Sequence, residues 1–262
     1  MDKTLRTAST GLSAQQKYVE IISNNIANVN TTGFKKTRPE FQDLLYETLR
    51  PAGAVARIGV EPLNEVQIGS GTQLVATAKH LGQGDLTQTN NPLDMAINGE
   101  GFFMLRRPDN TLTFTRDGSF KLDRTGQIVN NQGYRLEPGF TVPQDAQEIV
   151  VSAEGLVSIL NEGSTEHQTM GQIDLARFVN PGGLRAIGDN LFVQTPASGD
   201  PIFEQPGRNN TGEILQNQLE TSNVDVVEEM VNMITAQRAY ELNSKAVRTA
   251  ENILETSVNI KR

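Results

Sequence analysis

The side chains able to perform chemistry are few in this sequence. It has no cysteine, which removes thiol nucleophiles, disulfides and zinc thiolates together, and His80 and His167 are its only imidazoles. The two histidines lie far apart, with no cluster of carboxylates and imidazoles beside either, so neither is expected to bind a metal. There is no Walker loop, HExxH, GxSxG or EF-hand loop. Gly69-Ser70-Gly71 and Gly99-Glu100-Gly101 lack the remaining glycine and the helical context of a dinucleotide site, and read as turns. Asp109, Asp117 and Asp123 could in principle contribute to a glycosidase-like carboxylate pair, but each falls where a turn is expected. Asn30-Thr31-Thr32 and Asn209-Asn210-Thr211 match the N-glycosylation pattern, which is too frequent by chance to carry weight. No catalytic, cofactor-binding or metal-binding residue is assigned, and the function expected is not enzymatic.

Charge and hydropathy narrow the partners. A net charge of -8 and a pI near 4.9, with no patch interleaving basic and aromatic residues, make nucleic acid an unfavourable ligand. The first residues, MDKTLRTASTGL, are too polar for a signal peptide, and no run of apolar residues is long enough to span a bilayer. Neither a cleaved signal peptide nor direct membrane insertion is expected.

The elements that must carry any function are visible in the composition. All 11 prolines lie between Pro39 and Pro206, and 21 of 23 glycines fall in residues 39–212, whereas 213–262 contains neither type. Proline breaks helices and glycine weakens them, so the chain divides into helix-permissive ends and a turn-rich middle. Charge divides similarly: +4 over residues 1–38, -9 over the middle and -3 over 213–262, so the two ends are electrostatically complementary.

Leu5, Leu12, Val19 and Ile26 recur every seven residues, followed three behind by Ala8, Gln15, Ile22 and Val29. This spacing predicts a helix over about 3–29 with a mostly apolar stripe and Lys3, Thr10, Lys17 and Asn24 on the opposite face. Near the other end, Ser222 and Asp225 fit a capping-box spacing. Beyond them Val226, Met233, Tyr240, Val247 and Leu254 recur every seven residues, widened by Met230, Ala236, Ala250 and Ile253. At ~1.5 Å per residue the helices would run roughly 40 and 60 Å, longer than a compact domain needs. Pattern alone leaves open whether the two stripes cover each other within one chain or line a filament.

Between them, short apolar runs alternate with turn signals. Ala96-Ile97 precedes Asn98-Gly99, residues 102–105 precede Pro108-Asp109-Asn110, 112–114 precede Asp117-Gly118, and 120–122 precede Arg124-Thr125-Gly126. All are read as hairpin spacings, and the rhythm continues to Leu191-Val193. The fold class expected is mixed α and β. Residues 1–33 and 213–262 form terminal helices pairing as a coiled coil, 34–75 form an extended arm crossing between subunits, and 76–212 form a mainly β central domain. Within the arm, Phe41, Leu44, Leu45 and Leu49 could make a short helical patch before Pro51.

Five stretches carry a resemblance. Residues 23–35, including Asn24, Asn25, Ile26, Ala27, Asn28, Thr32, Gly33, Phe34 and Lys35, resemble the N-terminal signature of the flagellar rod and hook proteins, preceded by Thr10-Gly11-Leu12. Residues 220–225 and 233–241, with Arg238, Ala239 and Tyr240, are similar to the closing helix of the same family. Residues 88–99 and 114–120 resemble its shared body, so the likeness spans nearly the whole chain. Asp2, Lys3 and Thr4 stand where many members begin with apolar residues. The resemblance implies a non-enzymatic subunit of a helical homo-oligomeric tube that crosses the periplasm and transmits torque. Its implied neighbours are the proximal rod and hook proteins, the surrounding basal-body rings and the flagellar type III export apparatus. A length short for a hook protein and an insert over about 44–73 point to the distal part of the rod; a proximal rod subunit is the alternative. From the β-rich body alone, a secreted adhesin or a cell-wall hydrolase would also be readings, but neither explains heptads at both ends. The assembly seam expected is Leu5, Leu12, Val19, Ile22, Ile26, Val226, Met230, Met233, Tyr240, Val247 and Leu254, ordering only when a neighbour docks.

Overall fold

The computed structural model describes residues 2–50, 65–143, 145–161 and 167–260. Residues 51–64 of the expected arm lie outside the described residues. The chain is mixed α and β, with a helix at each end and strands between. It divides into two compact units, one of residues 1–27, 37–78 and 225–262 and one of 28–36 and 79–224.

The first unit contains α1 (Asp2–Ala27), strands β1 (Thr37–Asp43), β2 (Tyr46–Arg50), β3 (Val66–Gly69) and β4 (Thr72–Lys79), and α2 (Val226–Ile260). The helix α1 stops two residues before the expected end, and beyond it the Asn28 carbonyl accepts the Thr31 amide at 3.2 Å. The start of α2 departs from the capping-box reading. The cap is Asp225, whose Oδ1 accepts the amides of Val227 at 2.8 Å and Glu228 at 3.2 Å, while the Ser222 hydroxyl accepts the Val224 amide. Within the arm, the patch around Phe41 and Leu49 is strand and not helix: β1 pairs with β4, and β2 pairs antiparallel with β3, with Tyr46 opposite Gly69.

The arm lies along the polar face of α1, which therefore does not face solvent alone. Lys3 pairs with Glu47, the Thr10 hydroxyl accepts the Thr72 amide at 3.4 Å, and Tyr18 meets Phe41 edge to face at 6.3 Å.

The second unit comprises β5 (Leu86–Gln88), β6 (Met95–Asn98), β7 (Phe103–Arg106), β8 (Leu112–Thr115), β9 (Lys121–Leu122), β10 (Ile128–Val129), β11 (Arg135–Glu137), β12 (Ala146–Val151), β13 (Leu156–Asn161), β14 (Gln168–Gln172), β15 (Leu175–Arg177), β16 (Arg185–Gly188), β17 (Leu191–Val193), β18 (Ile202–Glu204), β19 (Glu213–Gln216) and β20 (Gln218–Glu220). Its largest sheet has seven strands in the order β16-β17-β8-β7-β11-β10-β9. The strand β7 explains the absence of a polar face there. Phe103 and Leu105 join a cluster with Met95, Ile97, Phe120 and Leu136, while Met104 and the adjacent Phe102 join Phe114, Phe178 and Phe192 on the other side. Edge-to-face rings fix the second cluster, with Phe114 and Phe178 4.8 Å apart.

Two of the four expected hairpin turns are correct. Residues 107–111 join β7 to β8, and 123–127 join β9 to β10. Asn98-Gly99 and Asp117-Gly118 close no hairpin. The strand β6 pairs instead with β19, with Ile97 opposite Ile214, and Gly118 accepts the Met95 amide at 3.0 Å. Turn-forming dipeptides thus mark chain reversals here without naming the partner strand. The partners of β5 and β6 arrive more than a hundred residues later, as β20 and β19.

Candidate functional site

Two sets of residues bear on function: the helices of the first unit and, in the second, the short segments from which those helices emerge. Within one chain, α1 packs along α2. On α1, Ile22 is buried with Ala8, Ala14 and Asn25, while Leu5, Leu12, Val19 and Ile26 are half-buried. On α2 the covered row is Glu229, Ala236 and Ala250, joined at half burial by Met233, Val247, Leu254, Ala239 and Asn243. Val226, Met230 and Tyr240 are exposed, as is Arg238. The stripe facing α1 therefore combines Met233, Val247 and Leu254 of the expected heptad with the row three positions on, Glu229, Ala236, Asn243 and Ala250. Ala236 and Ala250 belong to the expected stripe, while Glu229 and Asn243 are polar members that hydropathy does not flag.

Small side chains at the seam allow close approach. A Cβ on Gly11 would come within 2.9 Å of the Asn243 side chain. Asn25 is the most constrained polar residue. Its amide donates to the Thr37 carbonyl at 3.0 Å and to Glu229 at 3.3 Å, and its Oδ1 accepts the Thr37 amide at 3.0 Å. Burial, and next to it the charge of Glu229, pushes the Tyr18 phenol up. On the other side of α2, Val227 is 71 % exposed, Leu242 65 %, Val231 54 % and Ile234 50 %, which leaves a second apolar face without cover among the described residues.

In the second unit the signature residues 28–36 are locked to residues 220–223. Asn28 turns the chain through bonds to Thr31, and the Asn190 side chain donates to the Thr32 carbonyl at 3.0 Å. Gly33 has φ +66°, and a Cβ there would stand 2.6 Å from the Asp117 nitrogen, so only glycine fits. The Gly33 amide donates to the Glu220 carbonyl at 2.8 Å. Phe34 carries the Lys79 ammonium over its ring at 5.3 Å, and burial pushes that ammonium down. Asn223 accepts the Lys36 amide at 2.8 Å while donating to the carbonyls of His80 and Gly82 at 2.7 and 2.9 Å.

At the centre lies an ionic cluster that residue-by-residue reading of the sequence did not find. Lys35 and Glu220 have fully buried side chains 2.5 Å apart, and Arg116, 5 % exposed, reaches the other Glu220 oxygen at 3.3 Å. Lys35 also donates to the Gly82 carbonyl at 2.8 Å, and Arg116 to the Gly99 carbonyl at 2.7 Å. Burial pushes both cations down, and the Glu220 carboxylate opposes that shift in each. The signal was present: Lys35, Arg116 and Glu220 fall inside three of the motif stretches, 23–35, 114–120 and 220–225, as two cations and one anion. The His80 ring meets Asn223 and its backbone amide donates to the Lys36 carbonyl at 2.8 Å, and His167 is exposed. No group of three or more metal-ligating side chains occurs among the described residues. The arrangement holds backbone segments together and offers no nucleophile or acid–base pair.

This architecture matches known families along its length. Residues 5–35 match the model described as flagella basal body rod protein, 96–159 the flagellar hook protein FlgE/F/G D1 domain, and 215–260 the flagellar basal body rod FlgEFG protein C-terminal. Those matches and the locked signature define the class, the rod and hook proteins of the bacterial flagellum. The chain is 47 % identical over 265 residues to the flagellar basal-body rod protein FlgG of Borreliella burgdorferi, covering all of both chains, and 46 % identical over 261 residues to that of Caulobacter vibrioides, covering 99 % of each. A hook protein, FlgE of Helicobacter mustelae, is 40 % identical over 139 residues, 52 % of this chain and 30 % of its own. The chain belongs to the FlgG family of flagellar basal-body rod proteins. It is a structural subunit of the distal rod and not an enzyme. No helix among the described residues is long and apolar enough to cross a membrane.

Proposed function

We propose that this subunit polymerises into the rod by laying its paired terminal helices side by side with those of further copies, as a coiled-coil inner tube that transmits torque by packing. The single observation that carries the reading is the two-sided use of α2. One row meets α1, and a second, Val227, Val231 and Ile234 with Met230 beside it, is exposed. A helix apolar on two faces needs two partners, and open helical arrays are built from heterologous contacts of this kind. Each Val, Ile or Met covered there contributes ~1.5–3 kcal/mol, so a few residues per contact are enough to offset the ordering of a helix end. Proximal rod and hook subunits would continue the same contacts at the two ends of the tube. The basal-body rings would surround it across the periplasm, and the export apparatus would deliver chains without a cleaved signal peptide.

The test is Ile234→Asp, combined with Val231→Asp, in cells whose only copy carries the substitutions. The expected result is a soluble subunit with wild-type melting of its β body, no rod beyond the proximal part and no swimming. Rods of normal length would refute the assignment of this face. Hydrogen exchange should also slow over 226–260 when free subunits enter a rod.

A further inference from the structure

The cluster of Lys35, Arg116 and Glu220 contains two cations and one carboxylate, all with side-chain exposure of 5 % or less. The carboxylate is shared. One oxygen accepts from Lys35 at 2.5 Å and from the Gly84 amide at 2.9 Å, and the other accepts from Arg116 at 3.3 Å. Among the described residues, the exposed Glu100 also acts on Arg116. The three residues come from distant parts of the chain, with 185 positions between Lys35 and Glu220 and 104 between Arg116 and Glu220. Before Glu220 is in place, closing the body over residues 33–35 would bury two like charges with no counter-ion between them, which a low-dielectric interior opposes strongly.

We propose that Glu220 is the closing counter-ion of an electrostatic gate. The root of the N-terminal helix, residues 28–36, seals into the β body only when the C-terminal segment delivers this carboxylate, so a chain lacking its C-terminal end keeps that root open. The same event positions the C-terminal root. Once Glu220 is seated, the Gly33 amide bonds its carbonyl, and Asn223 bonds the Lys36 amide three residues on. The two segments, 33–36 and 220–223, are then held to each other by one set of hydrogen bonds. The gate acts on the single subunit and does not depend on how subunits polymerise.

A bland alternative is that the cluster is ordinary packing, in which case every removal should cost something and two removals more than one. Charge counting gives a different order. Lys35→Met leaves Arg116 and Glu220 balanced. Glu220→Gln leaves two buried cations, and adding Lys35→Met to Glu220→Gln removes one of them. The measurement is native-state hydrogen exchange of the amides of residues 31–36 in the three full-length variants, with thermal melting alongside. Glu220→Gln should speed opening of the root on the order of a hundredfold, the range expected for stripping one partner from a buried ion pair. The double variant should open more slowly than Glu220→Gln, and Lys35→Met should open least. If Glu220→Gln fails to fold while the double variant folds, the order is the same in its extreme form. A double variant that opens as fast as Glu220→Gln or faster, or that does not fold at all, overturns the gate, as does unchanged exchange in Glu220→Gln.

Discussion

Gly33→Ala tests whether the joint between the chain ends is as tightly determined as its geometry indicates. The perturbation is one methyl group with two separable costs. Gly33 has φ +66°, a left-handed conformation that costs an L-residue ~1–2 kcal/mol. The new Cβ would also stand 2.6 Å from the Asp117 nitrogen, 2.7 Å from the Arg116 carbonyl carbon and 2.9 Å from its oxygen. These are backbone atoms that no rotamer change can move, so overlap adds ~1–3 kcal/mol. A total of about 3 kcal/mol corresponds to a melting point lower by about 6–12 °C for a unit of this size. Gly133→Ala is the control: it has φ +83° but nothing within 4 Å of its Cβ, so it carries the conformational cost alone. Circular-dichroism melting of both variants reads the difference. A Gly33→Ala protein melting within ~2 °C of the Gly133→Ala protein would show that the loop relaxes freely, and the reasoning about this joint would be wrong.

Three further substitutions probe other contacts. Asp225→Ala removes the acceptor of the Val227 and Glu228 amides and should cost ~1 kcal/mol, seen as faster exchange confined to the first turn of α2. Asn25→Ala removes one partner from each of the Thr37 amide and carbonyl and leaves Glu229 buried with one donor fewer, so the urea midpoint should fall by the equivalent of about 3 kcal/mol. Val247→Asp places a charge in the half-buried seam beside Asn243 and Ala250; rods should not form while the melting of residues 79–224 is unchanged, and normal rods would refute the seam.

The division of the chain was legible because proline and glycine act locally. Wherever they are absent for fifty residues a long helix is possible, and α2 spans 35 of the last 50. Strand existence was legible for the same reason, since short apolar runs between turn residues leave few alternatives. Strand pairing was not. Asn98-Gly99 has the composition of a two-residue hairpin, yet β6 takes β19 as partner, and that choice is made by Ile97 facing Ile214 across more than a hundred intervening residues. The arm showed neither period, because β1 to β4 are mostly exposed and carry little alternation of burial for a pattern to follow.

The site divides along the same line between local and distant causes. Asn25, Gly33 and Asn223 stood inside motif stretches, but what each does depends on a residue far off in sequence: Glu229, Asp117 and Lys36. The stripe on α2 was legible in part: Met233, Ala236, Val247, Ala250 and Leu254 are covered, whereas Val226, Met230 and Tyr240 are exposed. A hydropathy stripe finds the face with the largest apolar side chains, and in a helix that meets one partner this is the covered face. Here the face meeting α1 also takes in Asn243 and Glu229, and at Gly11 a Cβ would come within 2.9 Å of the Asn243 side chain, so the helices approach closely there. The large residues Val227, Val231, Ile234 and Leu242 are displaced to the other side. For a monomer that distribution would be a liability, since an exposed apolar stripe invites association. In the proposed assembly that exposed stripe would be the surface on which further copies pack, a second face of α2 beside the one that meets α1.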